Sequence, residues 1–101
     1  MTINIQSVGF TADQKLRDLI NEKCTKLTKY YNKITDANVY LKLESSGTVK
    51  DKSIELTLSV PQKVLVTKSE DKVFEVALDN VTTAMQRQLK KYKERQSSSN
   101  K

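Results

Sequence analysis

From Ala37 to Leu43 and again from Ile54 to Val60, apolar and polar residues strictly take turns. Ala37, Val39, Leu41 and Leu43 alternate with Asn38, Tyr40 and Lys42; Ile54, Leu56, Leu58 and Val60 alternate with Glu55, Thr57 and Ser59. A period of two gives each strand one apolar face, and such a face needs a second layer to cover it. The rest of the chain supplies that layer. Leu16, Leu19, Ile20, Cys24, Leu27, Tyr30 and Tyr31 recur at helical spacing, so an amphipathic helix is expected from about Ala12 to Tyr31. Thr11 with Gln14 three residues on reads as its capping box. From about Lys72, Phe74, Ala77, Leu78, Val81, Met85, Leu89 and Tyr92 mark a second amphipathic helix, with Glu70 and Asp71 at its acidic start.

Two further strands complete the order. The opening "TINIQS" alternates Ile3 and Ile5 with Asn4 and Gln6 before Gly9 breaks it, and "KVLVTKS" after the Pro61-Gln62 turn is a shorter, β-branched stretch. A loop around Gly47 joins the two central strands. The expected fold is α+β, in the order β-α-β-β-β-α: a four-stranded sheet with both helices on one face and the other face polar. The order is related to that of double-stranded-RNA-binding domains. At 101 residues the chain holds one core, so residues 1–95 form a single domain and "QSSSNK", residues 96–101, a flexible polar tail.

Catalysis finds little support in these residues. The chain has no histidine, no Gly-rich phosphate loop and a single cysteine, which leaves neither a soft-metal site nor a disulfide. Cys24 sits on the apolar stripe of the first helix, where it fills core space. No enzyme activity, cofactor or small-molecule substrate is therefore expected. No apolar run approaches the ~18 residues of a membrane helix, and "MTINIQSVGF" lacks the basic and apolar regions of a secretory signal. No membrane partner is expected, and the cytoplasm is the default location.

Charge says more. Eighteen Lys and Arg against twelve Asp and Glu give a net charge of +6, which favours a polyanionic partner. The stretch "RQLKKYKER", residues 87–95, packs five cations, Arg87, Lys90, Lys91, Lys93 and Arg95, around Glu94 alone. The helix macrodipole favours acid at a helix start and base at its end, but it does not explain a surplus of mutually repelling charges. Closely spaced phosphates do, because each one neutralised releases condensed counterions. On the first helix, Lys15, Lys26, Lys29 and Lys33 follow one flank of the apolar stripe. Lys23 falls inside that stripe, with its stem over the core and its ammonium reaching out between the helices. The start of the last helix is acidic, unlike that of a double-stranded-RNA-binding domain, and Tyr40 alone offers an aromatic platform on the polar sheet face. What remains is a reader of nucleic-acid shape and backbone through helix cations.

The segments "LRDLINEKCTKLTKYYNKI" (Leu16–Ile34), "VYLKLE" (Val39–Glu44), "EVALD" (Glu75–Asp79) and "RQLKKYK" (Arg87–Lys93) together resemble the ribosome hibernation-promoting factors. These are also called ribosome-associated inhibitor A proteins, and formerly sigma-54 modulation proteins. The resemblance implies the same β-α-β-β-β-α fold with two parallel helices. It also implies a stationary-phase or stress factor that lodges in the mRNA and tRNA decoding channel of the small ribosomal subunit and inhibits translation by occupancy. Its partners would be small-subunit rRNA and adjacent ribosomal proteins. The matching rRNA-binding positions are Lys23, Lys26 and Lys29 on the first helix, Lys42 on the second strand, and Arg87, Lys90, Lys91 and Lys93 on the second helix. The sequence departs from the family's Y-A-A-I-D pattern, with Glu75, Val76 and Leu78 in its first, second and fourth places. The ending "QSSSNK" resembles the short form, of the hibernation-promoting subtype. The alternative is a protein-interaction module acting as a transcription modulator on sigma-54.

Overall fold

The structure is a computed structural model describing the backbone of residues 1–44 and 51–99, with side chains up to Arg95. The loop around Gly47, Asn100 and Lys101 lie outside the described residues. The elements are β1 (Thr2–Val8), α1 (Gln14–Lys26), β2 (Asp36–Leu43), β3 (Lys52–Val60), β4 (Lys63–Asp71) and α2 (Phe74–Ser99). This is the expected β-α-β-β-β-α order.

The sheet runs β1-β2-β3-β4. β1 and β2 are parallel because α1 carries the chain back between them, while β2–β3 and β3–β4 are antiparallel neighbours. The pairing sorts side chains into rows. Ile5, Val39, Leu56 and Thr67 form one inward row, flanked by Ile3, Ala37, Leu58 and Leu65. Onto these pack Leu16, Ile20, Cys24 and Leu27 from α1 and its extension, and Ala77, Leu78, Val81, Met85 and Leu89 from α2. Thr67, the polar member of its row, is satisfied by donating to the carbonyl of Val81 at 3.0 Å.

The two helices run in the same direction. Phe10, just before α1, stacks on Phe74 with centroids 4.9 Å apart; further along, Lys23 meets Asp79; beyond α1, Tyr31 meets the Tyr92 ring edge-on at 5.3 Å. Tyr92 also donates its hydroxyl to the carbonyl of Pro61. Burial, and then the neighbouring Tyr31, raise the pKa of this phenol above its ordinary value, which keeps it a donor. One side chain thus ties α2 to the β3–β4 turn.

The element ends differ from the sequence expectation, each for a local reason. The N-cap of α1 is Asp13, not Thr11: its Oδ1 accepts from the Leu16 amide at 2.8 Å and brings a charge that the helix dipole favours. Gln14 donates forward to Asp18 instead of reaching back to Thr11. The α-helical part stops at Lys26, and Leu27–Lys29 tighten into a 3-10 turn. Thr25 and Thr28 there donate their hydroxyls to the carbonyls of Asn21 and Thr25, the kind of competition that loosens a regular helix. Glu70 and Asp71 belong to β4, because the ladder pairs them with Ser53 and Lys52; Asp71 accepts from the Val73 amide just before α2. The helical backbone of α2 continues past Arg95 to Ser99.

The open face of the sheet is less polar than the alternation implies. It carries Val64 and Val66 at 56% and 49% exposure on β4, together with Tyr40 and Val8. The β4 edge is partly blunted by Gln88, whose side chain donates to the carbonyl of Val66.

Two tight backbone positions shape the ends of the sheet. Gln62 adopts φ 67° as the second residue of the two-residue connection Pro61-Gln62, a left-handed position that a proline cannot take. Gly9 has φ 88°, and a Cβ there would lie 2.7 Å from the carbonyl oxygen of Leu43. Gly9→Ala is expected to destabilise the fold by about 1–3 kcal/mol, read as a lower urea midpoint; an unchanged midpoint would mean that the chain after β1 relaxes away from β2. Burial also pushes the Cys24 thiol up to about 11, so almost no thiolate exists in the folded protein at pH 8. Iodoacetamide is expected to leave Cys24 unmodified under native conditions and to alkylate it fully in denaturant; rapid native-state alkylation would contradict the core assignment.

Candidate nucleic-acid interface

The second half of α2 turns one buried stripe, Met85, Leu89 and Tyr92, towards the sheet and α1, so its cations distribute over what is left. Arg87, Lys90, Lys91, Lys93 and Arg95 are all exposed. They do not form one patch. Lys90 and Lys93 fall on the flank facing α1, Lys91 and Arg95 on the flank facing β4, and Arg87 near the outer crest. The spacing dictates this, since residues four apart share a flank and residues two apart do not.

On the α1 flank the Lys90 ammonium sits 5.4 Å from the centre of the Tyr30 ring, an exposed cation–π contact worth about 0.5–1 kcal/mol. Beside it, Lys93 shares a recess of about 460 Å³ with Lys29, Lys33, Tyr30, Tyr31 and Asn32. The chain beyond the 3-10 turn therefore brings lysines of the first helical region against those of the second. Among the described residues, no carboxylate pairs with Lys29, Lys33, Lys90 or Lys93. The uncompensated charge gathers beside Tyr30 and Tyr31.

The other sequence candidates are placed differently. Lys23 is 30% exposed and pairs with Asp79 at 2.5 Å, bridging the helices as its position in the apolar stripe implies. Lys26 pairs with Glu22 one turn earlier on α1 at 3.5 Å. Pairs this exposed contribute at most about 1 kcal/mol, so both ammonium groups can exchange partners at little expense. Lys42 lies on the open face of the sheet, in the row of Val8, Ser53 and Glu70, and pairs with Glu44 at 3.3 Å. The sheet separates it from the helix cations, so it cannot share their surface.

Two cations outside the family-matched positions also stand at these surfaces, Lys33 on the α1 flank and Lys63. Lys63 opens β4 and lines a recess with Lys91 and Arg95. Nothing in its local sequence marks it; the signal exists only once the hairpin is folded against α2. Along α1 and at the start of α2, Asp18, Glu22 and Glu75 line a recess with Lys15 and Leu19, so the cations gathered beyond α1 have an acidic counterpart further back in the helix layer. Among the described residues there is no group of three or more potential metal ligands, and no helix is long and apolar enough to cross a membrane.

The chain is similar to several known proteins. A ribosome hibernation promoting factor from Pseudomonas putida is 33% identical over 97% of this chain and 92% of its own length. One from Azotobacter vinelandii is 32% identical over 95% of this chain and 86% of its own. A ribosomal subunit interface protein from Coxiella burnetii superposes with a TM-score of 0.83 over 93% of this chain and 99% of that one, at 19% identity. The N-terminal domain of Thermus thermophilus Protein Y gives 0.79 over 91% and 99%, at 22% identity. The last two establish the fold. The curated relatives are named as ribosome factors. Residues 3–97 match the sequence model described as "Sigma 54 modulation protein / S30EA ribosomal protein", and the chain belongs to that family.

Proposed function

We propose that this chain is a ribosome hibernation factor of the cytoplasm that binds the small ribosomal subunit in the mRNA and tRNA decoding channel. It inhibits translation there by occupancy, in stationary phase or under stress. The observation that carries this reading is the gathering of Lys29, Lys33 and Lys93 in one recess with Tyr30 and Tyr31, with Lys90 over the Tyr30 ring, and without a paired carboxylate on any of the four among the described residues. Family membership supplies the ribosome as partner. The contacts are to rRNA backbone, with ribosomal proteins at the margins.

In this reading the lysines act as mobile point charges and Arg87 and Arg95 as forked donors to phosphate. Lys23 and Lys26, held only by exposed ion pairs, turn to phosphate when the subunit is bound. Lys91 contacts RNA from the β4 flank. Lys42 is left outside this face, because the sheet stands between it and the helices.

The exposed Val64, Val66 and Tyr40 on the open sheet face favour a second reading, a protein-interaction module such as a sigma-54 modulator. Salt separates the two, since a grip on several phosphates weakens steeply with ionic strength and an apolar contact does not. Co-sedimentation of the chain with vacant ribosomes and separated subunits across a potassium series is expected to show stoichiometric, salt-sensitive binding to small subunits, competed by tRNA with mRNA. No binding at low salt would return the helix cations to a solvated surface. Lys90→Glu combined with Lys93→Glu is expected to move the melting curve little, because both side chains are exposed. The same pair is expected to weaken subunit binding by roughly a hundredfold or more; full binding by a well-folded double variant would discard the α1-flank grip.

A further inference from the structure

The β4 flank of α2 holds a second basic recess that the α1-flank grip does not use. Its volume is about 190 Å³, and it is lined by Lys63, Leu65, Gln88, Lys91, Tyr92 and Arg95. Its parts come from two elements. Lys63 is the first residue of β4, placed by the Pro61-Gln62 turn; Lys91 and Arg95 lie one turn apart on α2.

The recess is held in shape at three points. Tyr92 donates to the carbonyl of Pro61, Gln88 donates to the carbonyl of Val66 at 3.1 Å, and Leu65 is buried beneath. Three cations therefore face one small space. None of its lining residues is a carboxylate, and none of the three cations has an ion-pair partner among the described residues. The last turn of α2, which runs on to Ser99, holds no basic residue, so the helix macrodipole does little to account for Lys91 and Arg95. Nor does it account for Lys63, which arrives from a strand and adds a third like charge. A group that accepts hydrogen bonds through two oxygens and carries one negative charge would satisfy a guanidinium fork and two ammonium groups together.

We propose that this recess binds a phosphodiester of a second RNA backbone tract, separate from the tract gripped on the α1 flank. α2 then stands as a wedge between two tracts, held about one helix diameter apart, ~10–12 Å. The inference rests on the small-subunit reading above and adds the second contact to it. A wedge of this kind recognises the spacing of two backbones, which a single basic patch cannot do.

The test uses the full chain and vacant small subunits, with affinity measured across a potassium series and the bound rRNA mapped by hydroxyl-radical footprinting. Lys63→Gln with Arg95→Gln removes two of the recess charges from exposed side chains, so the urea midpoint is expected to stay in place. Lys68→Gln with Lys72→Gln removes two exposed charges elsewhere and is the charge-matched control. Because the one phosphate charge held in the recess then goes unneutralised, the slope of log affinity against log salt is expected to flatten by about 0.7–0.9. Affinity is expected to fall about tenfold or more, and one protected rRNA tract is expected to disappear while another remains. The control pair is expected to keep slope and footprint. A recess variant that binds like the unsubstituted chain, with both slope and footprint intact, overturns the second site and leaves the small-subunit reading standing. So does a recess variant no different from the control pair. If the unsubstituted chain does not bind small subunits at all, the reading beneath falls and the wedge with it.

Discussion

The docking of α2 onto the inner face of β3 and β4 is the interaction on which the rest of the molecule depends. Ala77, Leu78, Val81, Met85 and Leu89 are essentially excluded from water there, and burial on this scale dominates any surface pairing. Once that stripe is seated, the rotation of α2 about its own axis is set. Everything on its surface follows from that rotation: Asp79 comes opposite Lys23, Lys90 over Tyr30, and Gln88 against the β4 edge. A rotation of even one residue's turn would drive a lysine into the sheet, so the apolar core is what aims the cations.

The aromatic residues extend that control to the ends of the helix pair. Phe10 on Phe74 closes one end, and Tyr31 against Tyr92 the other. Because Tyr92 also reaches the Pro61 carbonyl, the 3-10 end of the first helical region, the body of α2 and the β3–β4 turn meet around one ring. Both basic recesses adjoin that junction, one on each side. Their cations hang on flexible stems, yet the walls are built from packed rings and hydrogen-bonded backbone. Holding the walls rigid reduces the ordering that binding must otherwise impose.

Periodicity made most of this fold legible. The alternation through Ala37–Leu43 and Ile54–Val60 and the helical spacing through Phe74–Tyr92 locate the elements, because burial of one face is a strong and distributed constraint. Boundaries rest on single hydrogen bonds, and there local chemistry competes: Asp13 displaces Thr11 as the cap of α1, and strand pairing with Lys52 and Ser53 draws Glu70 and Asp71 out of the helix. Val64 and Val66 escape a one-face rule because an edge strand tolerates β-branched residues on both sides. The site was legible in its charges and less so in its geometry. Adjacent letters in "RQLKKYKER" diverge to opposite flanks of α2, and Lys63, distant in sequence, joins one of them. Lys42 shows the converse: its segment fits the family, but strand parity turns it away from the helices.

The distribution of charge over the helix layer has a consequence for orientation. Acidic groups gather along α1 and at the start of α2, at Asp18, Glu22 and Glu75, and cations gather where α2 passes beyond α1. The helix dipole favours Glu75 in the first turn of α2, and the rest of the asymmetry is carried by the side-chain charges themselves. A polyanion approaching such a molecule is repelled from one end and attracted to the other before any contact forms. The long-range field thus presents the ends of the helices to the phosphates. Shape decides the contact that follows, because a flat acid-free surface would accept any polyanion, whereas a raised helix with recesses on both flanks fits only backbones that leave room for it.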